Sequence, residues 1–128
     1  MLKKDIKVKN SNVLVLGFTF KEDCPDVRNT KVIDIVNELK TYEVNVTIFD
    51  PWANPEEVAH EYGIQLGNID SSAKVDSLVI AVGHNEFRSM KPGELMKLCR
   101  SEKPVLADIK ALYDRHDATH AGFTVFRF

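Results

Sequence analysis

At 128 residues, with 44% hydrophobic and 28% charged side chains, the chain has the length and make-up of one globular domain, which excludes a disordered or fibrous protein. Its 17 basic and 19 acidic residues leave a net charge of −2, so no global field draws nucleic acid or an anionic membrane to it. Two cysteines, Cys24 and Cys99, with no C-x-x-C spacing, fit a reduced cytoplasmic protein better than a disulfide scaffold, and no apolar run approaches the roughly 18 residues of a membrane span.

Residues 1–11, where Lys3, Lys4, Lys7 and Lys9 surround Asp5, read as a solvated linker arm from an upstream region, and residues 12–128 as the folded domain. Asn12 to Gly17 is a short continuous apolar run, the pattern of a strand buried on both faces of a parallel sheet. After a polar loop, Val32, Ile33, Ile35, Val36 and Leu39 follow helical spacing, with Asn29 or Thr30 placed to cap a helix that runs to about Lys40. Val44, Val46 and Ile48 alternate with polar residues as in a half-exposed strand, which Asp50-Pro51 stops because proline cannot continue a ladder. Pro55-Glu56-Glu57-Val58 opens a short helix that fades by Gly63, and a connector through Gly67 and Ser71-Ser72 follows. Ser77 to Gly83 repeats the pattern of the first strand, Pro92 to Leu98 is helical, Val105 to Ile109 is a strand, and Phe123 to Phe128 is the last one.

Strands alternating with helices imply right-handed crossovers, and hence an α/β domain: a Rossmann-like, doubly wound, mostly parallel sheet with helices on both faces. Ligands of such sheets bind beyond the carboxyl ends of the strands. Four loops start there: Phe18-Thr19-Phe20-Lys21, Asp50-Pro51-Trp52, His84-Asn85-Glu86-Phe87 and Lys110-Ala111.

Lys21 lies four positions past Gly17, and Arg28 sits just ahead of the first helix, whose unpaired N–H groups favour an anion; together they suggest a phosphate cradle. The plain alternative is that Lys21, Arg28 and Lys110 are ordinary surface charges. Phe20 and Trp52 suit stacking on a base, although aromatics at a sheet edge more often pack. No G-x-G-x-x-G follows the first strand, and Asp50 lies 33 positions after Gly17, where a ribose-binding acid falls at about 20, so the domain does not cradle a dinucleotide alone. Cys24 has cationic neighbours that would lower a thiol pKa, but no base is fixed beside it, and it reads as a loop cysteine without chemistry. His116 and His120 have zinc-ligand spacing, but Gly122 and the polar surroundings favour a surface loop, and no metal is expected.

The stretch VLVLGFTFKEDCPDVRNTKVIDIVNEL from Val13, the segment VTIFDPWA, the run Leu78 to His84 and the segment Leu106 to Lys110 resemble the C-terminal domain of the UDP-glucose and GDP-mannose dehydrogenase family. The resemblance implies a nucleotide-sugar-binding domain of an NAD-dependent enzyme that oxidises a sugar C6 alcohol to a carboxylate in two hydride transfers. It implies that Phe20 and Lys21 contact the nucleotide sugar, that Lys110 grips its nucleotide, and that Arg28, in Asp26-Val27-Arg28, touches NAD held by another domain. The family's catalytic cysteine and lysine lie in regions outside this chain, which makes the piece incomplete and inactive alone, with partners in its own N-terminal and central domains and oligomerisation through those parts. CPDVRNTK, DPWA and a lysine at position 110 resemble the branch that handles UDP-N-acetylhexosamines for surface polysaccharide.

Two other readings use the same residues. A freestanding nucleotide- or anion-binding module would share the rim without catalysis. A phosphoacceptor receiver would need an acidic pair after its first strand, where this chain has Phe18-Thr19-Phe20-Lys21.

Overall fold

The computed structural model describes residues 11–19, 23, 26–27, 30–67, 75–99, 104–108 and 115–126. Along the chain come β1 (Asn12–Leu16), α1 (Val32–Lys40), β2 (Asn45–Phe49), α2 (Pro55–Tyr62), β3 (Ser77–Ile80), α3 (Asn85–Arg88), α4 (Pro92–Met96), β4 (Val105–Asp108), α5 (Arg115–Ala121) and β5 (Thr124–Phe126). The five strands form one sheet in the order β2-β1-β3-β4-β5, and every described pairing is parallel. The expected α/β architecture is therefore present.

The apolar runs are continuous because the sheet is covered twice. Successive strand side chains point to opposite faces. Val13, Val15 and Val79 therefore meet Val32 and Val36 of α1 and Val58 of α2. Leu14, Leu16, Leu78, Ile80 and Leu106 face the other way, against Phe87 of α3, Leu95 of α4 and Ala118 of α5. Each such Val, Leu or Phe contributes about 1.5–3 kcal/mol by leaving water. At the sheet edge, β2 turns Val46 and Ile48 into one core and Phe49 toward the other, while Asn45 and Thr47 stay exposed.

Helix ends follow local chemistry. The N-cap position of α1 is held by Lys31 without a side-chain bond, while Thr30, one of the two expected caps, accepts Val32 N–H on Oγ1 at 3.2 Å from one position further back; Asn29 lies outside the described residues. In α2 the signals are complete: Asn54 Oδ1 accepts from the N–H of Glu56 and Glu57, Pro55 opens the first turn, and Gly63 closes it in the left-handed region at φ 65°.

Three expectations need correction. His84 to Phe87 is not simply a loop, because α3 begins at Asn85 and buries Phe87. Arg115–Ala121 is a helix rather than a surface loop, with Ala118 buried and the His116 and His120 rings stacked one turn apart, centroids 6.2 Å from each other. The ladder of β3 stops at Ile80, before the expected Gly83, because Ala81 and Val82 both turn their N–H toward Leu16 O. That turn presses Val82 onto Gly17, where a Cβ would lie 2.6 Å from Val82 Cβ; with φ at +101°, only glycine suits the position. Residues 1–10, Ser71-Ser72, Ile109, Arg127 and Phe128 lie outside the described residues.

Candidate functional site at the carboxyl edge of the sheet

β1 lies between β2 and β3, so the chain leaves β1 and β3 in opposite directions, the arrangement that opens a ligand crevice at their carboxyl ends. Leu16, Ile80 and Asp108 are in register, so the ends of β1 and β4 share one edge with a single strand between them, roughly 10 Å apart.

Asp50 is the centre of this edge. It follows the last residue of β2 and is buried. Its Oδ2 accepts from Phe18 N–H at 2.6 Å and Thr19 N–H at 3.0 Å, and its Oδ1 from Trp52 N–H at 2.7 Å and Ala53 N–H at 3.2 Å. His84 Nε2 stands 2.9 Å from Oδ2 and 3.0 Å from Thr19 Oγ1. On its other side, His84 Nδ1 accepts the backbone N–H of Asp23 at 2.9 Å, which assigns the ring proton to Nε2 and makes that nitrogen the donor to Asp50. Burial opposes ionisation of Asp50, but the His84 contact and the N–H groups of Phe18 and Trp52 outweigh it and hold the carboxyl below its ordinary value. No described buried side-chain nitrogen or oxygen is left without a partner.

This carboxylate is an anchor rather than a base or a ligand. Each oxygen is committed to donors from the chain itself, and His84 is fully buried with both ring nitrogens engaged. The N–H groups at the end of β1, which in a dinucleotide-binding turn would point at a phosphate, are directed at Asp50 instead.

The anchor holds the long loop between β1 and α1 at several points. Thr19 is fixed by Asp50 and His84. Asp23 gives its N–H to His84 and takes Asn85 N–H on Oδ1 at 2.7 Å. Val27 is buried, and its carbonyl accepts the Tyr62 hydroxyl at 2.6 Å while Tyr62 packs edge-on against Phe18. Over the rim, the Trp52 ring stacks on His84 and its Nε1–H reaches Glu86 Oε1 at 3.0 Å.

Of the residues singled out in the sequence, Phe20, Lys21, Cys24, Arg28 and Lys110 lie outside the described residues. What is described are their neighbours: Thr19, Asp23, Val27 and Asp108. Trp52, expected as a stacking or packing residue, does pack, though on a histidine and with part of its surface exposed. Sequence reasoning missed the pairing of Asp50 with His84, and the available signal was an acid and a histidine each following an apolar strand. Among the described residues no group of three or more His, Cys, Asp or Glu could hold a metal ion, and no helix is long and apolar enough to cross a membrane. Cys99 is buried at the other end of the sheet, where burial and then the charge of Asp76 push its thiol up to about 12, which silences it as a nucleophile.

The family described as UDP-glucose/GDP-mannose dehydrogenase family, UDP binding domain, matches residues 14–115 of this chain. The chain belongs to that family. This UDP binding domain is 47% identical over 114 residues to the UDP-N-acetyl-D-glucosamine 6-dehydrogenase of Pseudomonas aeruginosa, covering 89% of the chain and 27% of that enzyme. It is 48% identical over 110 residues to the enzyme of the same name from Salmonella typhi, covering 86% and 26%. The chain thus spans about a quarter of the length of the curated relatives it matches. Its backbone follows that of the NDP-N-acetyl-D-galactosaminuronic acid dehydrogenase of Methanosarcina mazei Go1 with a TM-score of 0.82 at 22% identity, over 96% of this chain and 25% of that one, a likeness of fold. The family and architecture expected from the sequence are both confirmed.

Proposed function

We propose that this domain supplies the nucleotide-sugar wall of the active-site cleft in an NAD-dependent UDP-sugar 6-dehydrogenase, and that the sugar is an N-acetylhexosamine. The observation that carries this reading is the pair of identities near one half to two UDP-N-acetyl-D-glucosamine 6-dehydrogenases, extending over nearly the whole chain. In this reading Lys21 and Lys110 neutralise the diphosphate as charge-assisted donors, and Phe20 packs against the substrate. Their loops leave β1 and β4 on one edge of the sheet, which supports a shared ligand.

NAD accepts the two hydrides in such an enzyme. The carboxyl edge of this domain does not fit its pyrophosphate, because the β1 N–H groups are taken by Asp50 and the glycine fingerprint is missing. NAD therefore belongs to an upstream domain, and Arg28 is assigned to contact it. Residues 1–11 would join the two parts, and any oligomer would form through the upstream part, in the cytoplasm.

The test is Lys21→Ala in the full-length dehydrogenase. Loss of one charge-assisted contact should raise KM for the UDP-sugar by about tenfold or more with NAD saturation unchanged. Arg28→Ala should do the reverse. Unchanged sugar kinetics in the lysine variant would remove the assignment.

A further inference from the structure

We propose that His84 is a positioning residue for nucleotide-sugar binding: one imidazole fixes Thr19 and Asp23, the described residues on either side of Lys21 in the sequence. The inference rests on the reading of Lys21 given above and goes beyond it, because His84 touches no substrate in that reading.

The geometry singles out this ring. Only three residues separate Thr19 from Asp23. Thr19 Oγ1 lies 3.0 Å from Nε2 and shares its one N–H with Asp50 Oδ2, and Asp23 N–H donates to Nδ1 at 2.9 Å, so the two ends of the segment meet opposite nitrogens of the same side chain. Neither bond depends on a mobile ring. Nε2 is held by Asp50 Oδ2 at 2.9 Å, Phe87 lies against the ring at 5.6 Å between centroids, and Trp52 stacks over it at 6.1 Å. A buried hydrogen bond in such surroundings is stronger and more directional than one in water.

Asp23 carries a further sign of constraint. Its φ is +53°, in the left-handed region that a residue with a Cβ enters at a cost and keeps only where its surroundings impose it. Here the imposing contacts are His84 Nδ1 on its N–H and Asn85 N–H on its carboxylate, two consecutive residues at the end of the β3 connection. The β1 loop is thus set by the β3 loop through His84, with Asp50 of β2 as the fixed base.

The chemistry required at position 84 is an acceptor toward Asp23 and a donor toward Asp50, about 2.2 Å apart on one planar group. A glutamine carboxamide has the same pair at nearly the same spacing; leucine fills the volume and offers neither.

The experiment titrates the full-length dehydrogenase, wild type and His84→Gln, His84→Leu and Lys21→Ala, with UDP, following binding by calorimetry, and measures amide hydrogen exchange of the same proteins without ligand. His84→Leu should weaken UDP binding by about tenfold or more and speed exchange at Thr19 and Asp23 by a similar factor, while Val15 and Leu78 in the strands keep wild-type exchange. His84→Gln should restore both to within about threefold. If His84→Leu does not fold, His84→Asn replaces it: its carboxamide oxygen reaches Asp23 but its nitrogen falls short of Asp50, so exchange at Thr19 rises and UDP binds more weakly. UDP affinity equal to wild type in His84→Leu, or lost equally in the glutamine and leucine variants, overturns the positioning role. If Lys21→Ala weakens UDP and His84→Leu does not, the positioning role alone fails; if no variant differs from wild type, the nucleotide reading fails with it.

Discussion

The two ends of the sheet handle a buried acid in different ways. At the amino end, Asp76 precedes β3 and accepts Asn12 N–H at 2.8 Å, tying the starts of β1 and β3 together beside an inert Cys99. At the carboxyl end, Asp50 collects backbone donors from the β1 loop and from its own loop, with His84 from the β3 loop. The first acid fastens neighbouring strands, which the ladder already holds. The second fastens loops, which no ladder holds, and a ligand-facing rim needs that because loops otherwise carry the lowest local stability.

The sharpest way to break this contrast is Asp50→Asn. The amide keeps the shape but turns an NH2 toward donors, so a buried charged network loses its acceptor; a loss of about 3–5 kcal/mol is expected by chemical denaturation. The same variant tests pH dependence. Because the folded Asp50 carboxyl lies below its ordinary value of 3.8, its contribution is fully present above that value and fades as pH falls through the lower folded value. Wild type should therefore lose stability more steeply below pH of about 4 than Asp50→Asn does.

Gly17→Ala probes the same edge through its backbone. The added methyl would meet Val82 Cβ and Val82 N at 2.6 and 2.8 Å on a left-handed φ, and a cost of about 2–3 kcal/mol should appear as a lower Tm. Asp76→Asn at the amino end keeps an acceptor for Asn12 and should cost about 1 kcal/mol, a clearly smaller effect than the change at Asp50. The smallest effect is chemical. In a Cys24→Ser background, iodoacetamide at neutral pH should label Cys99 only as fast as the domain opens, because a thiol raised to about 12 supplies almost no thiolate.

How far the sequence could be read depended on how much of each element's signal was local. The runs Asn12–Leu16 and Ser77–Ile80, the helical spacing of Val32 to Lys40, and the Pro55 and Gly63 punctuation of α2 each contain their own evidence of type. α3 and α5 do not. Each buries one identified side chain, Phe87 or Ala118, in a short polar stretch, and one apolar residue defines no period. The strand order was equally hidden, since a β2-β1-β3 arrangement comes from crossovers rather than from residues. At the rim, the 33 positions between Gly17 and Asp50 exclude a ribose acid but carry no sign of an anchor. The partner of Asp50, His84, lies 34 positions later, and only the adjacency of strand ends brings the two within 2.9 Å.

The outer margins of the sheet bear on how such a domain behaves beside other chains. The free side of β2 is partly occupied, because Gly67 N–H donates to Ile48 O at 2.8 Å and packs so near Thr47 that a methyl there would lie 2.6 Å from its Cγ2. At the opposite margin the described part of β5 is Thr124–Phe126. That occupied border gives an incoming extended peptide little to template on along β2, which guards this flank of the sheet against edge-to-edge pairing.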